Sequence, residues 1–391
     1  MVNRLFRLVG MAVSIVLILV CIGASETSAG PLNKRQDDLG APESNLDGAP
    51  GTMQRGEKGK MTIRVKHMAD NPIVRPDMEG SPGGNINGPS LIRVPEWVEQ
   101  PLGKYYLYFA DHKGKHIRLA YASRLIGPWT IYGPGSLQLG ESHFLTGPPD
   151  VPETMPSHLR TLATIPREQL QEPRAPHVPS VWDDLTHPHI ASPDVHVDRK
   201  QKVIRMYYHG LDSFGYQVSR VATSQDGIHF AAREEVIVDK SYLKAFHHNG
   251  MIYAMVMPGI FYRSKDGITG FEKGPRLFNE NMRHAALLVT DAHLLVFWTQ
   301  VGDAPERILL STIDIRGDWA TWKESQPVEV LRPTHNWEGA DLPIAPSVRS
   351  SVNTPVNQLR DPCIFQEDGR TFLLYVVAGE SGIAIAELLM D

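Results

Sequence analysis

A pattern of four short strands recurs along this chain, and no other feature limits the possible folds as tightly. In each copy an apolar strand leads into a turn, and a second strand rich in aromatic and β-branched residues follows. A shorter third strand then ends in a turn before a fourth. The first copy reads PSLIRV (89–94), KYYLYFA (104–110), HIRLAYAS (116–123) and GPWTIY (127–132). The second reads PDVHVD (193–198), KVIRMYYH (202–209), YQVSRVATS (216–224) and DGIHF (226–230). The third reads LKAFHH (243–248), MIYAMVM (251–257), GIFYRSK (259–265) and DGITGF (266–271). The fourth reads HAALLVT (284–290), HLLVFWTQ (293–300), RILLSTIDI (307–315) and DWATWKE (318–324). The fifth has only PCIFQED (362–368), RTFLLYVVA (370–378) and GIAIAELLM (382–390).

This repetition predicts an all-β, five-bladed β-propeller over 61–391. MTIRVKH (61–67) has no partner before the first copy and the fifth copy lacks its last strand. Pairing the two closes the ring and removes the open edges that invite aggregation. A β-sandwich does not account for repeated four-strand units, and a doubly wound α/β fold needs long helical periods that are missing. The main helical candidate, SHLRTLATIPREQLQE (157–172), is interrupted by Pro166. It lies in a polar, Pro-rich insertion over 140–188, expected to be either a lid over the channel mouth or a surface excursion.

Ahead of the repeats, Arg4 and Arg7 precede an apolar run from Met11 to Ile22, and Thr27-Ser28-Ala29 offers small residues for cleavage. Residues 1–29 are therefore expected to be a signal peptide, and the protein secreted or periplasmic, with no stable membrane insertion after cleavage. Residues 30–60 carry no hydrophobic period and read as a disordered tether. Cleavage removes Cys21 and leaves Cys363 alone, so no internal disulfide is expected. A formal net charge of −5 provides no basic footprint, which excludes nucleic acid as the expected partner. A monomer is expected.

NGPSLIRV followed by GKYYLYFADH and LAYASRLIGPWTIY resembles the opening blade of the five-bladed glycosidase propellers, notably family 43 glycoside hydrolases and their furanosidase relatives. SPDVHVD with IRMYYHG resembles their second blade, ATSQDGIHF and YRSKDGITGF their outer-strand turns, and LRDPCIFQEDGRTFLLYVVAG their last blade. The resemblance covers about 61–391. It implies a carbohydrate substrate or ligand, no cofactor, and catalytic carboxylates near the starts of the innermost strands around the central channel. The chain departs from that family at the usual positions: Gly88 stands where it has an Asp before the first inner proline, Lys244 where it has an Asp, and Arg283-His284 where it has a Glu.

Glycoside hydrolysis ordinarily needs two carboxyl groups flanking the sugar. Acids in or just before the first strands of the copies point to Asp194, Glu338 and Asp361 as the catalytic set. Asp77, Asn87, Arg283, His284 and Trp337 are expected to bind substrate. The predicted function is an exported glycoside hydrolase. A non-catalytic glycan-binding propeller is one alternative, and a propeller lyase or phosphorylase using Arg283 and His284 on an anionic sugar is another. His187, His189 and His196 fall near Asp183, Asp184 and Asp194, yet no tight ligand motif appears, so no metal is expected. The Ser/Asp/Gly turns at 224–227 and 264–267 read as structural, with Asp bonding nearby amides and Gly taking positive φ.

Overall fold

The computed structural model describes residues 62–390 except Ser81 and Pro176. The expected signal and tether segments, 1–29 and 30–60, lie outside the described residues.

β1 (Ile63–His67) comes first, followed by a sheet of β2 (Asn87–Arg93), β3 (Tyr105–Ala110), β4 (Arg118–Ala122) and β5 (Thr130–Tyr132). A small ribbon of β6 (Pro173–Ala175) and β7 (Val178–Ser180) lies within the insertion. The second sheet holds β8 (Ile190–Asp198), β9 (Val203–Ser213), β10 (Tyr216–Ser224) and β11 (Ala231–Ala232). The third holds β12 (Lys244–His248), β13 (Met251–Val256), β14 (Ile260–Ser264) and β15 (Glu272–Arg276). The fourth holds β16 (Met282–Val289), β17 (His293–Gln300), β18 (Ile308–Asp314) and β19 (Val328–Leu331). The fifth holds β20 (Arg360–Glu367), β21 (Arg370–Val376) and β22 (Ile383–Met390), with β1 as its outer strand. β1 runs antiparallel to β22, with Ile63 opposite Met390 and His67 opposite Ala386. The N-terminal strand closes the ring, as its lack of a local partner predicts.

The alternation of side chains along each second strand explains why the sheets stack side by side. On β3, Tyr105, Leu107 and Phe109 pack toward Phe365, Phe372 and Leu374 of the fifth sheet. Tyr106 and Tyr108 point the other way, against Ile204, Met206 and Tyr208 of the second. The same division places a cluster between each remaining pair of neighbouring sheets. A strand buried on both faces needs an unbroken apolar run, and β3 is buried along its whole length.

The innermost strands surround the channel. β2 lies beside β8 and β20, β20 beside β16, and β16 beside β12. The last step of the ring is held by the Ala245 amide, which donates to Asp194 Oδ2 at 2.8 Å. The Ser/Asp/Gly turns are structural, as expected. The Asp226 Oδ1 accepts from the amides of Ile228 and His229, and the Gly227 carbonyl receives the Tyr108 hydroxyl of the preceding sheet at 2.6 Å. Gly267 receives the Tyr207 hydroxyl in the same way.

Three outer strands fall later in the sequence than the repeat suggests, at β11, β15 and β19. In the fourth sheet the segment expected as a strand contains a 3-10 turn, Trp319–Thr321. Trp319 and Trp322 are drawn instead into the cluster between the third and fourth sheets. The insertion is folded. It contains a 3-10 helix (Ser157–Leu162), a helix beginning directly after Pro166 (Arg167–Gln171) and a helix capped by Ser180 (Val181–Thr186). Leu159, Leu162, Leu170 and Leu185 pack around Phe214 to give it a core of its own.

Candidate functional site

The five sheets each bring one residue with left-handed backbone to the same end of the channel: Gly88 (φ 59°), Ser192 (φ 50°), Tyr242 (φ 59°), His284 (φ 40°) and Asp361 (φ 42°). In β2, β8, β16 and β20 this residue sits at a break in the strand register, where the inner strand bulges. Only the first position is glycine, and a Cβ there would stand 2.9 Å from the Ser192 Cα. The other four hold side chains in a conformation that L-residues avoid, a pattern associated with sites that must aim particular groups. Together the five line a cavity of about 10 Å³, room for one water.

Asp361 is the acid in this ring. Its residue is 6% exposed, and His284 Nδ1 lies 3.5 Å from its carboxyl. Burial and then the nearby charge of Glu380 push the Asp361 carboxyl up to about 7, against the pull of His112, Arg283 and Arg360. His284 is kept neutral chiefly by burial, reinforced by Arg283 and Arg360, and its Nδ1 has no hydrogen-bond partner. Tyr242 lies over this ring, with centroids 5.0 Å apart, and over His209 on its other side at 4.5 Å. The Tyr242 hydroxyl and His112 Nε2 are 3.2 Å apart.

A lattice of buried charge surrounds Asp361. Arg283 holds Glu306 through both Nε and Nη2. Arg360 Nη1 donates to Glu380 at 2.6 Å, and its Nε lies 3.5 Å from Glu306. Glu380 also accepts from Asn85 at 2.6 Å and from Asn87 at 3.3 Å, with His112 Nδ1 at 3.6 Å. Burial raises the Glu380 pKa, but the charges of His112 and Arg360 and the donated hydrogen bonds outweigh it and hold the carboxyl at about 2. Two cations and two anions thus neutralise one another behind an acid that has no cation of its own.

Of the residues expected from sequence, Asp361, His284, Asn87 and Arg283 meet here, and the others do not. Asp194 faces a different cavity, of about 320 Å³, further along the inner strands and sharing Lys244 and Pro362 with the first. Its carboxyl binds His196 Nε2 at 2.7 Å, lies 3.5 Å from Lys244 Nζ and accepts the Ala245 amide. Burial there is outweighed by His196 and Lys244, so Asp194 is held at about 2, as an anchor between the second and third sheets. Glu338 is fully buried away from the channel, beside β1, bonded by Tyr375, His67 and the amides of Thr334 and His335. Trp337 stacks on His335 at 5.0 Å in the same place. Asp77 is exposed and pairs with Arg75. Arg283 is consumed by Glu306, which leaves no free guanidinium for a sugar. His189 and His196 do not share a site either: His189 lies by His209, at 5.9 Å between ring centroids, whereas His196 binds Asp194.

Sequence reasoning missed Glu306, Glu380 and Tyr242, which follow no repeat rule based on inner strands. Glu306 and Glu380 both stand in the turn between the second and third strands of their sheets, as His112 does, so that turn carried the signal.

The insertion meets the channel rim at this end. Asp184 Oδ1 accepts from Lys113 Nζ at 2.8 Å and from the Ser350 hydroxyl at 3.1 Å, and Arg174 binds its other oxygen. The amide of Asn353 donates to the His177 carbonyl at 3.0 Å, and Arg174 Nη1 to that of Arg349 at 3.1 Å. Ser350 in turn accepts from Arg360 through its carbonyl at 3.2 Å.

No protein-family model matches the chain. It is 36% identical over 330 residues to uncharacterized protein R118 of Acanthamoeba polyphaga mimivirus, across 78% of this chain and 83% of that one. The chain belongs to the family of that viral protein. Among solved structures, the fold resembles that of BT0996 in its RGII complex, with a TM-score of 0.51 and 12% identity over 83% of this chain and 92% of the other. A GH43_1 enzyme from Xanthomonas citri is also similar, with a TM-score of 0.46 and 9% identity over 78% of this chain and 87% of the other. The five-bladed propeller read from the strand motifs therefore holds as architecture. Such low identities carry the fold and not the reaction.

Proposed function

We propose that the protein is an exported glycoside hydrolase that works at the bulged end of its channel, with Asp361 as proton donor to the leaving oxygen. The observation that supports this is a pair of neighbouring carboxyls driven apart in pKa, Asp361 to about 7 and Glu380 to about 2. Asp361 thereby stays protonated near neutral pH beside an ionised neighbour, as a general acid must. Glu380 acts on Asp361 through its charge. Tyr242, packed between His209 and His284, holds the His284 ring beside Asp361. The cavity has room for about one water, so a sugar enters only if the rim opens, and the contacts of Asp184 with Lys113 and Ser350 are those that tie the insertion to that rim. The insertion then serves as a lid.

A second reading, glycan binding without cleavage, is favoured by one observation: Glu380, Glu306 and Asp194 are all committed to buried pairs, which leaves Asp361 without a free second carboxylate. A lyase or phosphorylase using Arg283 loses its basis, because Glu306 occupies that guanidinium. A glycan array combined with a hydrolysis screen, run on the native chain and on Asp361→Asn, separates the first two. Cleavage that disappears in the variant while binding persists supports the hydrolase. Binding by the native chain with no cleavage of any bound glycan supports the second reading.

A further inference from the structure

We infer that His67, His335 and Glu338 form a site for a divalent transition metal of the zinc class, which clasps the ring-closing strand to the loop leading into the fifth sheet. Among the described residues, this is the group whose imidazole and carboxylate atoms converge: one ligand atom from each lies within 4.8 Å of the others. His67 Nε2 stands 3.2 Å from Glu338 Oε1, and His335 Nδ1 stands 3.2 Å from Glu338 Oε2. Nitrogen and oxygen ligands at ~2.0–2.2 Å around a tetrahedral ion are ~3.4 Å apart, so a set within 4.8 Å, whose imidazoles now reach opposite oxygens of Glu338, has only a short way to draw in. The ring of His335 is nearly half exposed, so it can make the small adjustment and leave a coordination position open to water.

The surroundings are those of a supported ligand set. Glu338 already receives the Tyr375 hydroxyl at 2.8 Å, the Thr334 amide at 2.7 Å and the His335 amide at 3.0 Å. These donors fix the carboxylate and satisfy it without the imidazoles, which approach at longer range. His67 and His335 meet edge to face at 4.6 Å, and Trp337 stacks on His335, so both rings are oriented from outside. Two imidazoles and a carboxylate select zinc, cobalt, nickel or copper over calcium or magnesium, which prefer all-oxygen sites. The three ligands come from parts of the chain that only ring closure brings together: His67 ends β1, while Glu338 precedes β20 by the connection from β19. The site is separate from the channel and does not depend on the proposed reaction.

Chelator-stripped full-length protein, titrated with Co²⁺ and then with Zn²⁺, tests this. One Co²⁺ per chain with intense visible bands of a low-coordinate nitrogen–oxygen site is expected, displaced by Zn²⁺, together with a rise in Tm on Zn²⁺ addition. His335→Ala, at an exposed ring, should fold normally and weaken binding by at least ~10-fold, and Tyr375→Phe should cost ~10-fold. His229→Ala, at a remote exposed histidine, should bind as the native chain does. Absence of the cobalt spectrum overturns the proposal, and so does a spectrum or Tm rise that survives His335→Ala unchanged.

Discussion

Replacing Asp361 by Asn should stabilise the protein above neutral pH while abolishing its chemistry. Asp361 has an ordinary pKa of 3.8 that the fold raises to about 7. Between those values the folded chain holds a proton that the unfolded chain has released, so stability is full below about pH 4 and falls as pH rises to about 7. At ~1.4 kcal/mol per pH unit, the ionised form costs about 4 kcal/mol by pH 8. Asn has nearly the same shape and no charge, and it tolerates the left-handed backbone that position 361 adopts. Native and variant should therefore melt together near pH 4 and diverge through neutrality. With ~2.1 cal/mol/K of unfolding entropy per residue, the gap at pH 8 becomes ~6 °C in Tm in favour of the variant. Turnover of any glycan the native protein cleaves should fall at least ~100-fold, the scale for losing an acid–base group. Scanning calorimetry from pH 4 to 8 on both proteins reads the first effect and a reducing-sugar assay the second. A Tm difference that does not change with pH would refute the raised pKa. An unchanged turnover would remove Asp361 from the mechanism.

Asp194→Asn should behave in the opposite sense. Its pKa of about 2 stabilises the fold at neutral pH by ~2 kcal/mol, a contribution lost as pH falls below about 4, so native and variant should converge in acid on a pH-resolved melting series. Deleting residues up to 60 should leave the Tm unchanged, whereas deleting up to 68 removes β1 and bares the edge of β22; equal melting of the two truncations would contradict closure by β1. Intact-mass analysis of protein exported by a bacterial host should show cleavage near Ala29, and a mass that retains Met11 to Ile22 would refute export by a cleaved signal.

The five-sheet ring was legible because its signal is local and repeated. A strand such as KYYLYFA is apolar at every position, since both of its faces meet neighbouring sheets, and the unpaired MTIRVKH had one natural partner. The outer strands were less legible. They are short and partly exposed, so tertiary packing of residues such as Trp319 and Trp322 decides where they begin. The site was legible only in part. The rule that acids at inner-strand starts face the channel found Asp361, but the bulge in β8 turned Asp194 into a neighbouring cavity, and the connection before β20 carried Glu338 outward to β1.

By itself the sequence determined the number of sheets, the stacking of their second strands and the way the ring closes, because alternating burial and turn residues act over a few neighbouring positions. Only the tertiary structure decided which carboxyl keeps its proton. Arg283 and Arg360 could each have paired with Asp361, and nothing in their spacing forbids it. The turns between second and third strands deliver Glu306 and Glu380 to those guanidinium groups instead. Asp361 is left buried beside a neighbouring negative charge, and a pKa depends on which charges stand within a few ångströms in space, wherever they lie along the chain.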